Sequence, residues 1–310
     1  MLSIFLPAPV VGALTFIVLV ASTILWGGLI CAFGLFKLIP QATVRSLSTE
    51  MMYWLALNWQ SSNKLLYRLL HAVSWEVDDR LRLDPRKSYL LVSNHQSWAD
   101  ILILFDLFHL RAPFLRFFLK RELLYVPIVG LGCWALDFPF MKRHSKEAVA
   151  KNPALRTEDL ETTRRACEIY KQQPVALVNF LEGTRFTEAK RLARQSPYRH
   201  LLRPKSGGLS FTLNAMGEQF GGIIDVTLAY RQTGGNVLWS WLKGEQDQLQ
   251  VHMDLLPIPA EMLHGDYEAD PEFRARFQAW VNGIWSRKDA RLERMLGSQP
   301  VSTARPAHHY

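Results

Sequence analysis

Short apolar runs separated by turn residues and longer helical patterns set out the middle of this chain. Residues 88–93, 136–141, 175–180 and 223–229 are mostly apolar stretches of strand length and read as core strands, and 248–253 has the look of an edge strand. Between them, residues 101–119 are apolar on nearly every face, which predicts a buried helix. Residues 157–171 carry charges at helical spacing and stop before Pro174, and 272–296 form a long amphipathic pattern. Strands alternating with helices predict an α/β fold: a mixed β-sheet flanked by helices.

The N-terminus follows a different pattern. Residues 1–36 contain no charged side chain. The stretch 10–36 exceeds the roughly 20 apolar residues needed to cross a bilayer. A tilted single span and a shallow re-entrant hairpin both fit, the second because of Pro7, Pro9 and the Gly27-Gly28 pair. A cleaved signal peptide is disfavoured, since no basic segment precedes the apolar stretch. Residues 41–72 repeat apolar and aromatic positions at helical spacing. They predict two amphipathic helices, either lying at an interface with Tyr53, Trp54, Trp59 and Tyr67 at headgroup level, or facing a core. The expected organisation is an anchor at 1–40, interfacial helices at 41–72, a catalytic domain at 73–296 and a disordered tail at 297–310.

Charge and cysteine content narrow the class. The net charge is +8 and half the residues are hydrophobic. Basic excess suits nucleic acid or an anionic membrane surface. No nucleic-acid signature accompanies it, so a membrane is favoured. Lys37 and Arg45 follow the apolar stretch, which places the rest of the chain on the cytoplasmic side of an inner membrane. The three cysteines make neither a disulfide framework nor a metal site and suit a reducing compartment.

Two motifs carry chemistry. Asn94-His95-Gln96-Ser97-Trp98-Ala99-Asp100 places an imidazole and a carboxylate five positions apart, at a strand-to-helix junction. A carboxylate in the first helical turn can fold back on the imidazole, fix its tautomer and raise its basicity. Ser97 and Asp100 also satisfy a capping box, which by itself would leave His95 an ordinary turn residue. Phe180-Leu181-Glu182-Gly183-Thr184-Arg185 follows another apolar run. There a glycine permits a sharp turn and an arginine offers a planar donor fork for phosphate. Residues 186–205 then carry Lys190, Arg191, Arg194, Arg199, Arg203 and Lys205 against one Glu188. That run is either a solvated face or the entrance for an anionic substrate.

Asn-His-x-Ser-x-x-Asp followed roughly eighty residues later by Phe-x-Glu-Gly-Thr-Arg resembles the glycerolipid acyltransferase family, which includes the 1-acylglycerol-3-phosphate acyltransferases. Two further blocks fit: Lys120-Arg121-Glu122-Leu123 through Phe138-Pro139-Phe140-Met141-Lys142-Arg143, and Gly222-Ile223-Ile224-Asp225-Val226-Thr227-Leu228. The resemblance spans about residues 70–230. Leu181 and Phe186 depart from the commoner Phe-Pro-Glu-Gly-Thr-Arg-Ser, and Asp225 stands where a proline is frequent. The stretch 202–208, taken with Asp225-Val226-Thr227, is similar to the lysocardiolipin and lysophosphatidylinositol branch.

The resemblance implies transfer of a fatty acyl group from acyl-coenzyme A or acyl carrier protein to the free hydroxyl of a lysophospholipid, most simply 1-acylglycerol-3-phosphate. It implies His95 as base and Asp100 as its orienting partner. It also implies an acceptor site made by Arg143, Glu182, Gly183, Thr184 and Arg185, with Lys120 and Lys205 as further phosphate contacts. Backbone N–H groups near Gly183 are expected oxyanion donors. No cofactor and no metal is expected, because a thioester is already activated. Alternatives are another lysophospholipid or an acylated amino-acid lipid as acceptor, or a catalytically silent lipid-binding membrane protein. A hydrolase is disfavoured, for the chain has no Gly-x-Ser-x-Gly elbow.

Overall fold

The computed structural model describes residues 5–71, 75–79, 81–141, 167–171, 173–230, 235–246 and 249–297. Arg143 and most of the expected helix at 157–171 lie outside the described residues; 167–170 is helical.

A six-stranded sheet has the order β1-β8-β7-β2-β6-β3. Its strands are β1 (Glu76–Asp79), β2 (Ser88–Ser93), β3 (Leu115–Phe117), β6 (Ala176–Asn179), β7 (Phe220–Ala229) and β8 (Gln250–Leu256). β3, β6, β2 and β7 run parallel, while β8 is antiparallel to β7. Every residue of β2 is buried, which accounts for its unbroken apolar run. β8 lies inside the edge, because β1 pairs along its outer side.

The long apolar segment at 101–119 does not form one helix. α3 (Ala99–Phe108) ends there, Leu110 takes a left-handed backbone (φ 60°), and Pro113 precedes β3. Proline cannot continue a helix, so the remaining apolar residues enter the sheet instead. The core strand expected at 136–141 is only β5 (Phe140–Met141), paired with β4 (Leu119–Lys120) in a separate two-stranded ribbon.

α1 (Ala8–Leu35) is a single helix of 28 residues, about 42 Å long, with proline in its first turn. It is no hairpin. α2 (Ala42–Leu70) is likewise one helix of 29 residues rather than two. No Gly or Pro interrupts it. Its mid-helix Ser48, Asn58 and Ser61 side chains donate to carbonyls one turn back, which lets polar residues sit there. α2 buries Met52, Leu55, Ala56, Leu66 and Leu70 toward the domain. Of the four aromatic residues expected at headgroup level, only Trp54 is exposed; Tyr53 and Trp59 are half-buried and Tyr67 is buried.

α1 packs along α2 and touches the rest of the protein at both ends. Near its start, Thr15 contacts His71, and Gly12 abuts Trp239 and Lys243 of and beside α7 (Val237–Leu242). Near its end, Gly34 abuts Ala135 of α4 (Val129–Ala135), and Lys37 pairs with Asp137 at 2.7 Å. Its other faces, including Phe16, Ile17, Ile24 and Leu25, are exposed.

Candidate active site

The ends of β2 and β6 are adjacent in the sheet, so the two motifs meet. Asn94 closes the β2–β7 ladder: its amide donates to the Leu228 carbonyl and accepts from the Leu228 N–H, both at 2.9 Å. The chain then turns at His95, and α3 begins at Ala99.

Asp100 is fully buried and every approach to it is occupied. Its Oδ2 accepts from His95 Nδ1 (2.7 Å), Gln96 N (2.7 Å) and Ser97 N (3.0 Å), and its Oδ1 accepts from the Tyr230 hydroxyl. The capping and orienting roles are therefore one arrangement. Ser97 has its hydroxyl on the Ala99 N–H at 3.2 Å. With Nδ1 committed to the carboxylate, the free position of the imidazole is Nε2, which has no hydrogen-bond partner among the described residues. The ring lies flat on Phe180, centroids 4.0 Å apart.

Glu182 has a task different from acceptor binding. It is fully buried; Oε1 accepts from His95 N and Oε2 from Leu202 N, each at 2.9 Å. Burial raises its carboxyl to about 7, the two backbone donors opposing the shift. Phe186 N in turn donates to the His95 carbonyl at 2.6 Å. The second motif thus clamps the backbone of the first. The Gly183 N–H is used internally, on the Phe180 carbonyl at 2.9 Å, so it is not an oxyanion donor. Gly183 adopts φ +65°, and a β-carbon there would lie 3.2 Å from the Lys205 Nζ.

Cations gather at this turn. Arg185 is exposed, with its guanidinium 5.5 Å from the centre of the Trp98 ring. Lys205 lies against Gly183. Lys190 reaches back to Thr184 Oγ1 and the Arg185 carbonyl, both at 2.9 Å, so Thr184 is tied within the protein. Lys120 is exposed on β4, paired in register with Met141.

An apolar cavity of about 440 Å³ adjoins these groups. Trp98 lines it and also carries Arg185 on its face. Phe117 lines it and stacks on Phe180, the ring beneath His95. Its far walls come from α1, α2 and the 123–138 segment, including Leu19, Ile30, Trp59 and Phe138.

Residues 74–231 match the Acyltransferase family. The chain belongs to the acyltransferase family. It is 24% identical over 252 residues to the Saccharomyces cerevisiae 2-acyl-1-lysophosphatidylinositol acyltransferase, covering 67% of this chain and 62% of that protein. It is 28% identical over 198 residues to the mouse 1-acyl-sn-glycerol-3-phosphate acyltransferase gamma, covering 61% of this chain and 48% of that protein. The chain thus spans about half to three-fifths of these relatives. The crystal structure of the 1-acyl-sn-glycerophosphate (LPA) acyltransferase PlsC from Thermotoga maritima shares the fold, with a TM-score of 0.51, 13% identity, and 92% and 97% of the two chains covered.

Sequence reasoning missed Tyr230, Trp98 and Phe180. Tyr230 and Phe180 are aromatic residues ending apolar runs, where composition predicts packing, and Trp98 lies inside the His95 motif without a polar partner to single it out. Asp225, the departure from the family pattern, also has a structural account. It pairs with the fully buried Lys288 at 2.5 Å and with Arg291 at 3.0 Å, both on the C-terminal helix α8 (Pro271–Gly297). Burial lowers the Lys288 pKa while Asp225 opposes that shift.

Proposed function

We propose that this chain is a membrane-bound O-acyltransferase that moves a fatty acyl group from a thioester to the free hydroxyl of a lysophospholipid, most simply 1-acylglycerol-3-phosphate, giving phosphatidic acid. The donor is acyl-coenzyme A or acyl carrier protein. The observation that carries the reading is the His95–Asp100 pair, Nε2 free, set between a cation cluster and an apolar cavity.

In this mechanism the acceptor hydroxyl loses its proton to His95 Nε2 as its oxygen attacks the thioester carbonyl. Asp100, held by two N–H groups and Tyr230, stabilises the imidazolium. The tetrahedral adduct collapses, the C–S bond breaks, and the leaving thiolate takes the proton from His95. No acyl-enzyme forms. The acyl chain occupies the apolar cavity, and Arg185, Lys205 and Lys190 hold the acceptor phosphate. Arg143 and Lys120 remain proposed phosphate contacts.

The docking of α1 favours a helix lying along the bilayer over one crossing it. Its two ends, about 42 Å apart, are held by one domain, with the Lys37–Asp137 pair at one end and Lys243 at the other. A crossing would carry one of these charged ends through the lipid. The exposed apolar face of α1 enters one leaflet instead, at the inner membrane with the domain in the cytoplasm.

The test is a reaction of the purified chain with an acyl-thioester and a panel of lysophospholipids, products read by mass spectrometry. Formation of diacyl product that depends on His95 is expected. Thioester hydrolysis without acceptor consumption overturns the reading.

A further inference from the structure

A second, polar hollow of about 480 Å³ opens at the opposite end of α3 from the dyad. α3 has ten residues, so about 15 Å of helix separates the two. Lys64 and Arg68 of α2 and Arg111 after α3 line the hollow, with Asp106 as the acid and Trp75 and Tyr67 as aromatic walls. Lys64 pairs with Asp106 at 3.1 Å, and Arg111 makes 3.4 Å contacts to the Leu107 and Leu81 carbonyls. Arg68 is exposed and has no partner among the described residues. The Tyr67 hydroxyl is buried without a hydrogen-bond partner. His71, also on the wall, is held neutral, for burial lowers it to about 4. Among the described lining residues, three cations therefore face one carboxylate.

The hollow sits beside exposed apolar surface. Leu65 and Leu69, flanking Arg68 on α2, are 57% and 52% exposed. They continue the outward stripe of Leu47, Met51 and Trp54 along the same helix. A phosphate in the hollow would leave attached chains running along that stripe.

We propose that this hollow binds the phosphate headgroup of an anionic membrane phospholipid, separately from the acceptor site, and so sets which bilayers the protein occupies. The proposal rests on the membrane-bound reading of the chain, with the exposed stripe of α2 turned to the same bilayer as α1, and not on the identity of the acyl acceptor.

The experiment measures partitioning of the full chain onto phosphatidylcholine vesicles with and without phosphatidylglycerol. Wild type, Arg68→Gln, and Arg287→Gln as an exposed basic control on the C-terminal helix are compared. Arg68→Gln is expected to weaken binding to the anionic vesicles about fivefold. It should leave phosphatidylcholine binding and acyl transfer in neutral detergent unchanged. Arg287→Gln should leave all three unchanged. Equal losses for both variants would mean diffuse charge attraction and overturn the site, as would no loss for Arg68→Gln. Loss of activity in detergent for Arg68→Gln would place the residue in the active site instead. Inorganic phosphate at constant ionic strength should not compete with the vesicles; full competition would make free phosphate the ligand and overturn the lipid assignment.

Discussion

The Tyr230 hydroxyl donates to Asp100 Oδ1 from 130 positions away, while Oδ2 of the same carboxylate accepts from His95 Nδ1. Tyr230 is buried directly after β7, and burial together with the Asp100 charge raises its own pKa, so it stays a protonated donor. The aspartate negative charge is therefore shared between a phenol and an imidazole. Tyr230→Phe should lower kcat about tenfold, the worth of one hydrogen bond of about 1.4 kcal/mol, and leave both KM values within about twofold. Without the phenol, Asp100 is held only through Oδ2 and orients the imidazole less well, so the loss should fall on the chemical step and not on binding. His95→Ala should cost roughly 10²–10⁴-fold in a folded protein, and Asp100→Asn less. A Tyr230→Phe enzyme with an unchanged kcat would show that the tyrosine only fills space.

Glu182 supports His95 through the backbone, and this separates it from an acceptor contact. Glu182→Gln replaces one accepting oxygen by a donor, so either His95 N or Leu202 N loses its bond. Stability and kcat should both fall, with little change in acceptor KM. The pH dependence has a definite sign. The folded carboxyl titrates at about 7, above its ordinary range, so the folded state holds the extra proton between those limits. Its contribution to stability is fully present in acid and is lost as pH rises toward and through about 7. Glu182→Gln should flatten that part of the stability curve, measured by urea unfolding from pH 5 to 8. A selective rise in acceptor KM with unaltered stability would return Glu182 to the substrate.

What could be seen in the sequence follows from distance along the chain. β2, β6 and β7 are buried on both faces and appear as apolar runs, and the His95–Asp100 pair is local, so both were legible. β3 was hidden because Phe114, Leu115 and Phe117 continue the apolar character of α3 without a change of period. The unity of α2 was hidden by Ser61, Ser62 and Asn63, which weaken the pattern without breaking the backbone. The burial of Glu182 was not legible, because its partners are N–H groups of His95 and Leu202, which no side-chain pattern reports.

Asp225 makes a prediction about stability rather than chemistry. Asp225→Ala leaves Lys288 fully buried without a carboxylate and should cost about 3–5 kcal/mol in urea unfolding. Lys288→Met should cost less, because Arg291 still pairs with Asp225. Asp225→Leu combined with Lys288→Met should recover part of the loss, a coupling that independent sites do not show. Single variants within about 1 kcal/mol of wild type would mean that α8 is held by its apolar face alone.

Arg185 is the residue on which the acceptor assignment turns. Its guanidinium lies over Trp98, the side chain that also walls the apolar cavity, and among the described residues no carboxylate pairs with it. A planar fork so placed can grip a phosphate with two parallel bonds, and an ammonium cannot. Arg185→Lys should therefore raise the acceptor KM while preserving the charge, and Arg185→Ala should raise it further. Trp98→Leu removes the ring but keeps an apolar wall, so it should reproduce part of the Arg185→Lys defect. Lys190 and Lys205 flank the same turn. If all three share one phosphate, Arg185→Ala with Lys205→Ala should lose less than the product of the single effects. Initial rates with acceptor and donor varied separately decide the matter. A rise confined to the donor KM in Arg185→Ala would assign the turn to the coenzyme or carrier phosphate, and the lysophospholipid would then have to enter from the other side of His95.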